Sequence, residues 1–163
     1  MHPNPLLDGT TLVWVTFDPQ RTFSAGVRSL LVSLTAQRDW LLEIHEANSL
    51  ASAAGLVEQH GASLLTVVTD TADFAGLCKT LRRVQSRRPS CVRLVYTPLH
   101  QAPDGYSADH CRLLEVGAQI VVDQIPWVQR LLPSILDRIA PRPGGCHPLT
   151  TGLVDTLPWP DVR

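Results

Sequence analysis

Apolar residues along this chain fall into short continuous runs, separated by longer stretches in which they recur every three or four positions. The first run, Thr11-Leu12-Val13-Trp14-Val15-Thr16-Phe17, is apolar and β-branched and predicts a strand, which Asp18-Pro19 ends with a pair suited to opening a helix. From Gln20 to Leu34, Phe23, Val27, Leu30, Leu31 and Leu34 lie at helical spacing and predict one buried face. Trp40 to His45 reads as a second strand. A second helix over Ala51 to His60 has Asn48 or Ser49 to cap its start and Gly61 to close it.

The same alternation continues. Ala62 to Thr69 is a continuous apolar run, as expected of a strand covered by helices on both faces, and Asp70 to Asp73 forms the loop after it. Phe74 to Arg87 predicts a third helix with Phe74, Leu77, Cys78, Leu81 and Val84 on one stripe. Cys91 to Tyr96 is a fourth strand ended by Thr97-Pro98, and the loop from Leu99 to Ser107 is longer than usual for a strand-to-helix connection. A fourth helix over Ala108 to Val116, a fifth strand over Gln119 to Val122 and a last helix over Trp127 to Ile139 complete five strand-helix units. Such an order implies a five-stranded, doubly wound parallel sheet with helices on both faces, a three-layer α-β-α fold. Residues 1–10 form an N-terminal extension, residues 11–140 the domain, and residues 141–163 a Pro/Gly linker followed by an apolar tail.

Composition narrows the function classes. With 44% apolar and 18% charged residues the chain is globular, and 14 Lys and Arg against 15 Asp and Glu leave no net field to draw in nucleic acid or an anionic membrane. Direct nucleic-acid and membrane binding are therefore not expected, and the absence of a leader pattern or a long apolar span makes the cytoplasm the expected location. Arg82, Arg83, Arg87 and Arg88 cluster near the end of the third helix, where cations suit the helix dipole. Cys78, Cys91, Cys111 and Cys146 show no Cys-x-x-Cys spacing, and His45, His60, His100, His110 and His147 do not fall at metal-ligand spacings, so neither a redox pair nor a metal site is expected. No glycine-rich phosphate loop follows the first strand, where Asp18-Pro19-Gln20-Arg21-Thr22 stands, and no Gly-x-Ser-x-Gly elbow is present. No enzyme class is indicated.

In an open parallel sheet, ligands sit at the carboxyl ends of the strands, which directs attention to the residues after Phe17, Thr69, Tyr96 and Val122. With these elements in this order, from Thr11 to Ile139, the chain resembles the receiver domain of bacterial response regulators, of the flavodoxin-like type. Receivers place an acidic pair for magnesium after strand one, a phosphoacceptor aspartate after strand three, a Thr or Ser after strand four and a Lys-Pro pair after strand five. The resemblance puts Asp18 at one member of the acidic pair, with apolar Phe17 beside it, and Asp70 near the phosphoacceptor, although Val68 or Thr69 aligns more naturally there. It puts Thr97 at the switch hydroxyl, and Pro126 at the proline of the Lys-Pro pair with Ile125 in place of the lysine.

Without that lysine, a phosphoryl charge has no partner cation with which to reorganise the loops. The expected role is a non-catalytic, receiver-like interaction module, a pseudo-receiver in bacterial signal transduction, with no cofactor. Its partner would be another protein or a second copy, engaged through the face of the last two helices, including Trp127, or through Leu157 and Trp159 in the tail. That tail segment, Leu157-Pro158-Trp159-Pro160, suits either a docking peptide or a fold-back onto its own domain. One alternative is a phosphoaccepting receiver in a phosphorelay that uses Asp70, Asp18, Thr97 and magnesium; a weaker one is a small flavodoxin-like ligand-binding enzyme.

Overall fold

The computed structural model describes residues 10–68, 73–97 and 108–140. Five strands, β1 (Thr11–Phe17), β2 (Leu41–Glu46), β3 (Leu64–Val68), β4 (Val92–Tyr96) and β5 (Ile120–Val122), alternate with five helices, α1 (Thr22–Gln37), α2 (Leu50–His60), α3 (Phe74–Arg87), α4 (Ala108–Glu115) and α5 (Ile125–Ile139). The strands form one all-parallel sheet in the order β2-β1-β3-β4-β5. This is the doubly wound, flavodoxin-like arrangement that the alternation predicts.

Strand periodicity divides the core in two. Val13 and Val15 of β1 face the side covered by α2, α3 and α4, where they pack with Ala54, Val57, Leu77, Leu81 and Leu113. Their neighbours Leu12 and Trp14 face α1 and α5 and pack with Val27, Leu31, Leu132 and Leu136. Each helix thus buries the apolar stripe visible in its sequence. The indole N–H of Trp14, fully inside, donates to Thr66 Oγ1 at 2.9 Å, and Thr66 in turn donates to Thr16 Oγ1 at 3.0 Å, so the buried polar atoms satisfy one another.

Several boundaries differ from the sequence reading, each for a local reason. Helix α1 begins at Thr22, not Gln20, because Arg21 takes a left-handed conformation with φ of 64°. It extends past Leu34 to Gln37 through a polar end that apolar periodicity does not register. Trp40 is not part of β2: its N–H closes the end of α1 on the Thr35 carbonyl at 2.9 Å, after Asp39 has turned the chain with φ of 56°. At the other end of the domain, Pro126 occupies the first turn of α5, where a missing N–H costs nothing, and the helix starts at Ile125 instead of Trp127. Among the described residues, no helix is long and apolar enough to cross a membrane.

Candidate functional site at the carboxyl ends of the strands

All five strands are parallel, so Phe17, Glu46, Val68, Tyr96 and Val122 end on the same edge of the sheet. A shallow depression of about 260 Å³ opens there beside β1 and β2, lined by Thr16, Asp18, Arg21, Ser24, Glu46 and Asn48. Its polar walls bring two acids and one arginine to the place where an open parallel sheet binds ligands.

Asp18 follows β1 directly, and both of its carboxylate oxygens accept backbone hydrogen bonds. Oδ1 takes the N–H of Gln20 at 3.2 Å and Oδ2 that of Ser24 at 2.8 Å. Because α1 begins at Thr22, Ser24 is in its first turn, and Asp18 supplies an acceptor to one of the N–H groups that a helix start leaves unpaired. The turn between them is held by the Arg21 N–H donating to the Asp18 carbonyl at 3.1 Å. The carboxylate that the phosphoaccepting alternative would give to magnesium thus accepts two backbone N–H groups at the start of α1.

Thr97 follows β4 and is almost fully buried. Its N–H donates to the Val122 carbonyl at 2.8 Å and its hydroxyl donates to the same oxygen at 3.4 Å, so Thr97 ties the end of β4 to the end of β5. One residue earlier, Tyr96 stacks on Phe23 of α1 with ring centroids 4.3 Å apart. Burial, and secondarily the charge of Asp123, push the Tyr96 hydroxyl above its ordinary range. Asp123 itself follows the last residue of β5 and so belongs to the strand ends, although it is not among the site residues that the sequence suggests. Since β5 stops at Val122, the residue leaving the strand is the acid Asp123, while Ile125, assigned to the lysine position by matching Pro126, lies two residues further on at the start of α5 and is 46% exposed.

Trp127, proposed as an interaction residue, is half-buried. It packs against the core on the α1/α5 side, with the Arg130 guanidinium 5.5 Å from its ring centroid. Asp70, Leu157 and Trp159 lie outside the described residues. Although the histidines show no metal-ligand spacing in the sequence, the fold brings two of them together: His45 of β2 and His60 of α2 stack on each other, and both lie beside Glu43. Fifteen residues separate the two histidines, so only the packing of α2 against the edge strand unites them. The one local signal was Glu43-x-His45, two positions apart on a strand and hence on one face.

No protein-family model matches the sequence, and no curated protein matches it either. Solved structures do match. A CheY-like protein, TadZ, from Pseudomonas aeruginosa superposes with a TM-score of 0.58 at 12% identity, over 81% of this chain and 96% of that one. A putative pilus assembly protein, CpaE, from Burkholderia thailandensis gives 0.52 at 14%, covering 82% and 99%. The response regulator domain of Thermotoga maritima CheB gives 0.54 at 16%, again covering 82% and 99%. Together with the sheet order, these likenesses establish that the chain has the CheY-like, response-regulator receiver fold.

Proposed function

We propose that this chain is a receiver-like interaction module of bacterial signal transduction or regulation that works without aspartyl phosphorylation. The observation that carries the reading is the charge at the end of β5. The residue that leaves β5 is the acid Asp123, and the chain's single lysine, Lys79, belongs to α3, so no lysine follows β5 to pair with a phosphoryl group as the receiver resemblance would require. A phosphorylated aspartate gains about one further negative charge and needs donors and cations around it. Among the described residues, the strand ends carry Asp18, Glu46 and Asp123 against the single cation Arg21 in the depression, a balance that disfavours added negative charge. The double engagement of Asp18 by the start of α1 supports the same reading, because magnesium binding would compete with those backbone hydrogen bonds.

A fold freed of phosphotransfer keeps its surfaces for partners. The exposed Ile125 beside Trp127 gives α5 an apolar start on the face proposed for contact, with the 141–163 tail as the second element. The likeness to a putative pilus assembly protein adds a bacterial assembly machine as one setting for such a module.

Intact mass measurement after incubation with acetyl phosphate and magnesium tests the proposal. The expected result is no adduct of about 80 Da, the mass of one phosphoryl group. A labile adduct that disappears in Asp70→Asn overturns it and installs the alternative in which Asp70, Asp18, Thr97 and magnesium form a working phosphoacceptor site.

A further inference from the structure

A second cluster of chemically capable side chains lies on the flank of the edge strand β2, where neither the receiver fold nor the proposed function gives it a task. Glu43 and His45 are two residues apart on β2 and project to the same side of the sheet. Their register partners on β1, Val13 and Val15, belong to the core beneath α2 and α3, which identifies that side as the one α2 covers. His60 is the last residue of α2, which ends there because Gly61 adopts a left-handed conformation with φ of 62°. The His60 ring lies on the His45 ring, with centroids 3.7 Å apart and planes inclined by 14°. Glu43 Oε1 is 2.8 Å from His45 Nε2 and 3.9 Å from His60 Nδ1, and one donor atom of each residue lies within 4.8 Å of the other two.

We propose that Glu43, His45 and His60 form a binding site for a divalent transition-metal ion of the zinc type. Zinc holds imidazole nitrogen and carboxylate oxygen at about 2.0–2.2 Å, so two ligands in a tetrahedron stand roughly 3.3–3.5 Å apart. The observed 2.8 Å and 3.9 Å separations straddle that spacing. Because the two rings are stacked with planes inclined by only 14°, one imidazole must turn out of the stack for both nitrogen lone pairs to reach a common ion, a side-chain rotation that the partial exposure of both histidines permits. Two imidazoles and one carboxylate suit zinc and its late first-row neighbours, whereas magnesium and calcium take oxygen ligands. Three protein ligands leave a fourth position, and the partial exposure of all three side chains (47%, 21% and 28% for Glu43, His45 and His60) lets the ion and a completing water enter from solvent.

The supporting elements are fixed before any ion arrives. β2 is paired to β1 along its length, and α2 is anchored at its start by the reciprocal Ser49–Ser52 capping box. A bound ion would clip the end of α2 to the edge of the sheet, and would stabilise the fold by mass action. This function is independent of whether the strand ends accept a phosphoryl group.

Zinc chloride alone, titrated into the metal-free full chain, tests the site by calorimetry and by the imidazole signals in NMR. One zinc per chain is expected, shifting the His45 and His60 signals together and raising the thermal midpoint, with no such effect from magnesium. His60→Gln at the helix end and Glu43→Gln on the exposed edge should each weaken binding at least tenfold, while melting like the parent in EDTA. Cobalt(II) as an optical substitute separates this site from the chain's cysteines, because a thiolate ligand adds an intense charge-transfer band that nitrogen and oxygen ligands lack. Undiminished zinc affinity in both variants, a thiolate band from the bound cobalt, or no binding at micromolar zinc would each overturn the proposal.

Discussion

The two ends of β4 treat polar groups in opposite ways. Near its amino end, Arg93 is 4% exposed and its guanidinium donates to three backbone carbonyls: those of Gly117, of Cys91 at 2.7 Å and of Pro89 at 3.3 Å. Its own N–H donates to Gln119 Oε1 at 3.0 Å. Just past the carboxyl end, Thr97 makes one close backbone bond and one long hydroxyl bond to a single carbonyl, beside a strand end that releases an acid. The chain thus buries a cation at one end of β4, where it staples three carbonyls, and carries an acid, Asp123, beside the other. A charge becomes a functional candidate only after the hydrogen bonds it already makes have been counted.

The sharpest way to break this contrast is Arg93→Met. Burial lowers the Arg93 pKa, a sign that the interior tolerates the charge with difficulty, yet its donors satisfy carbonyls that water does not reach. Each buried acceptor left without a donor costs about 1–3 kcal/mol. The Gly117 carbonyl cannot easily turn elsewhere, because that residue holds φ of 123° and a Cβ there would lie 2.9 Å from Gln85 Oε1 and 3.2 Å from the Leu81 carbonyl. We expect Arg93→Met to lose roughly 3 kcal/mol or more in urea denaturation, and Thr97→Val less than about 1 kcal/mol. Equal losses would mean that the two ends are not differently built.

Alkaline pH provides a second, somewhat smaller probe of the sealed end. Burial pushes the Cys91 thiol from 9.0 up to about 12. The folded protein therefore keeps its proton while the unfolded chain releases it. The associated stability is fully present below pH 9 and drains away between pH 9 and 12, on the order of 2–3 kcal/mol by pH 11. Tyr96, raised mainly by burial, adds loss in the same direction. Denaturant midpoints measured at pH 8, 10 and 11 should fall steeply in the parent and less so in Cys91→Ala. The same burial predicts that a thiol reagent modifies exposed Cys111 well before Cys91.

Most of the architecture was legible because β-runs such as Leu64–Val68 and stripes such as Leu77, Leu81 and Val84 are long-range packing written as local periodicity. What periodicity missed was local backbone geometry. The left-handed Arg21 and Asp39 delay α1 and β2 although neither is glycine, and α5 begins at Ile125, two residues before Trp127, with Pro126 in its first turn. The same two-residue displacement hid Asp123: matching the proline of a Lys-Pro pair pulled attention to Ile125, past the residue that actually leaves β5. Thr97 was legible, since the end of β4 is marked by its own Thr-Pro. The Glu43, His45 and His60 cluster was not, because no sequence spacing encodes where the end of a helix lands against the strand before it.

The least costly substitution addresses the strand ends directly. If Asp18 serves mainly to cap α1, Asp18→Ala should cost about 1 kcal/mol, the usual value for losing an acceptor at a helix start. Asp18→Asn, which keeps one carbonyl oxygen for the Ser24 N–H, should cost less. Hydrogen exchange at Ser24 should accelerate in the alanine variant, because its amide loses the 2.8 Å bond to Oδ2. Groups kept for a ligand behave differently: they hold like charges together at the expense of stability, and removing one stabilises the unliganded fold. An unchanged or raised stability in Asp18→Ala would therefore return this carboxylate to the set of groups free to bind an ion, and with it the strand ends to the phosphoaccepting reading.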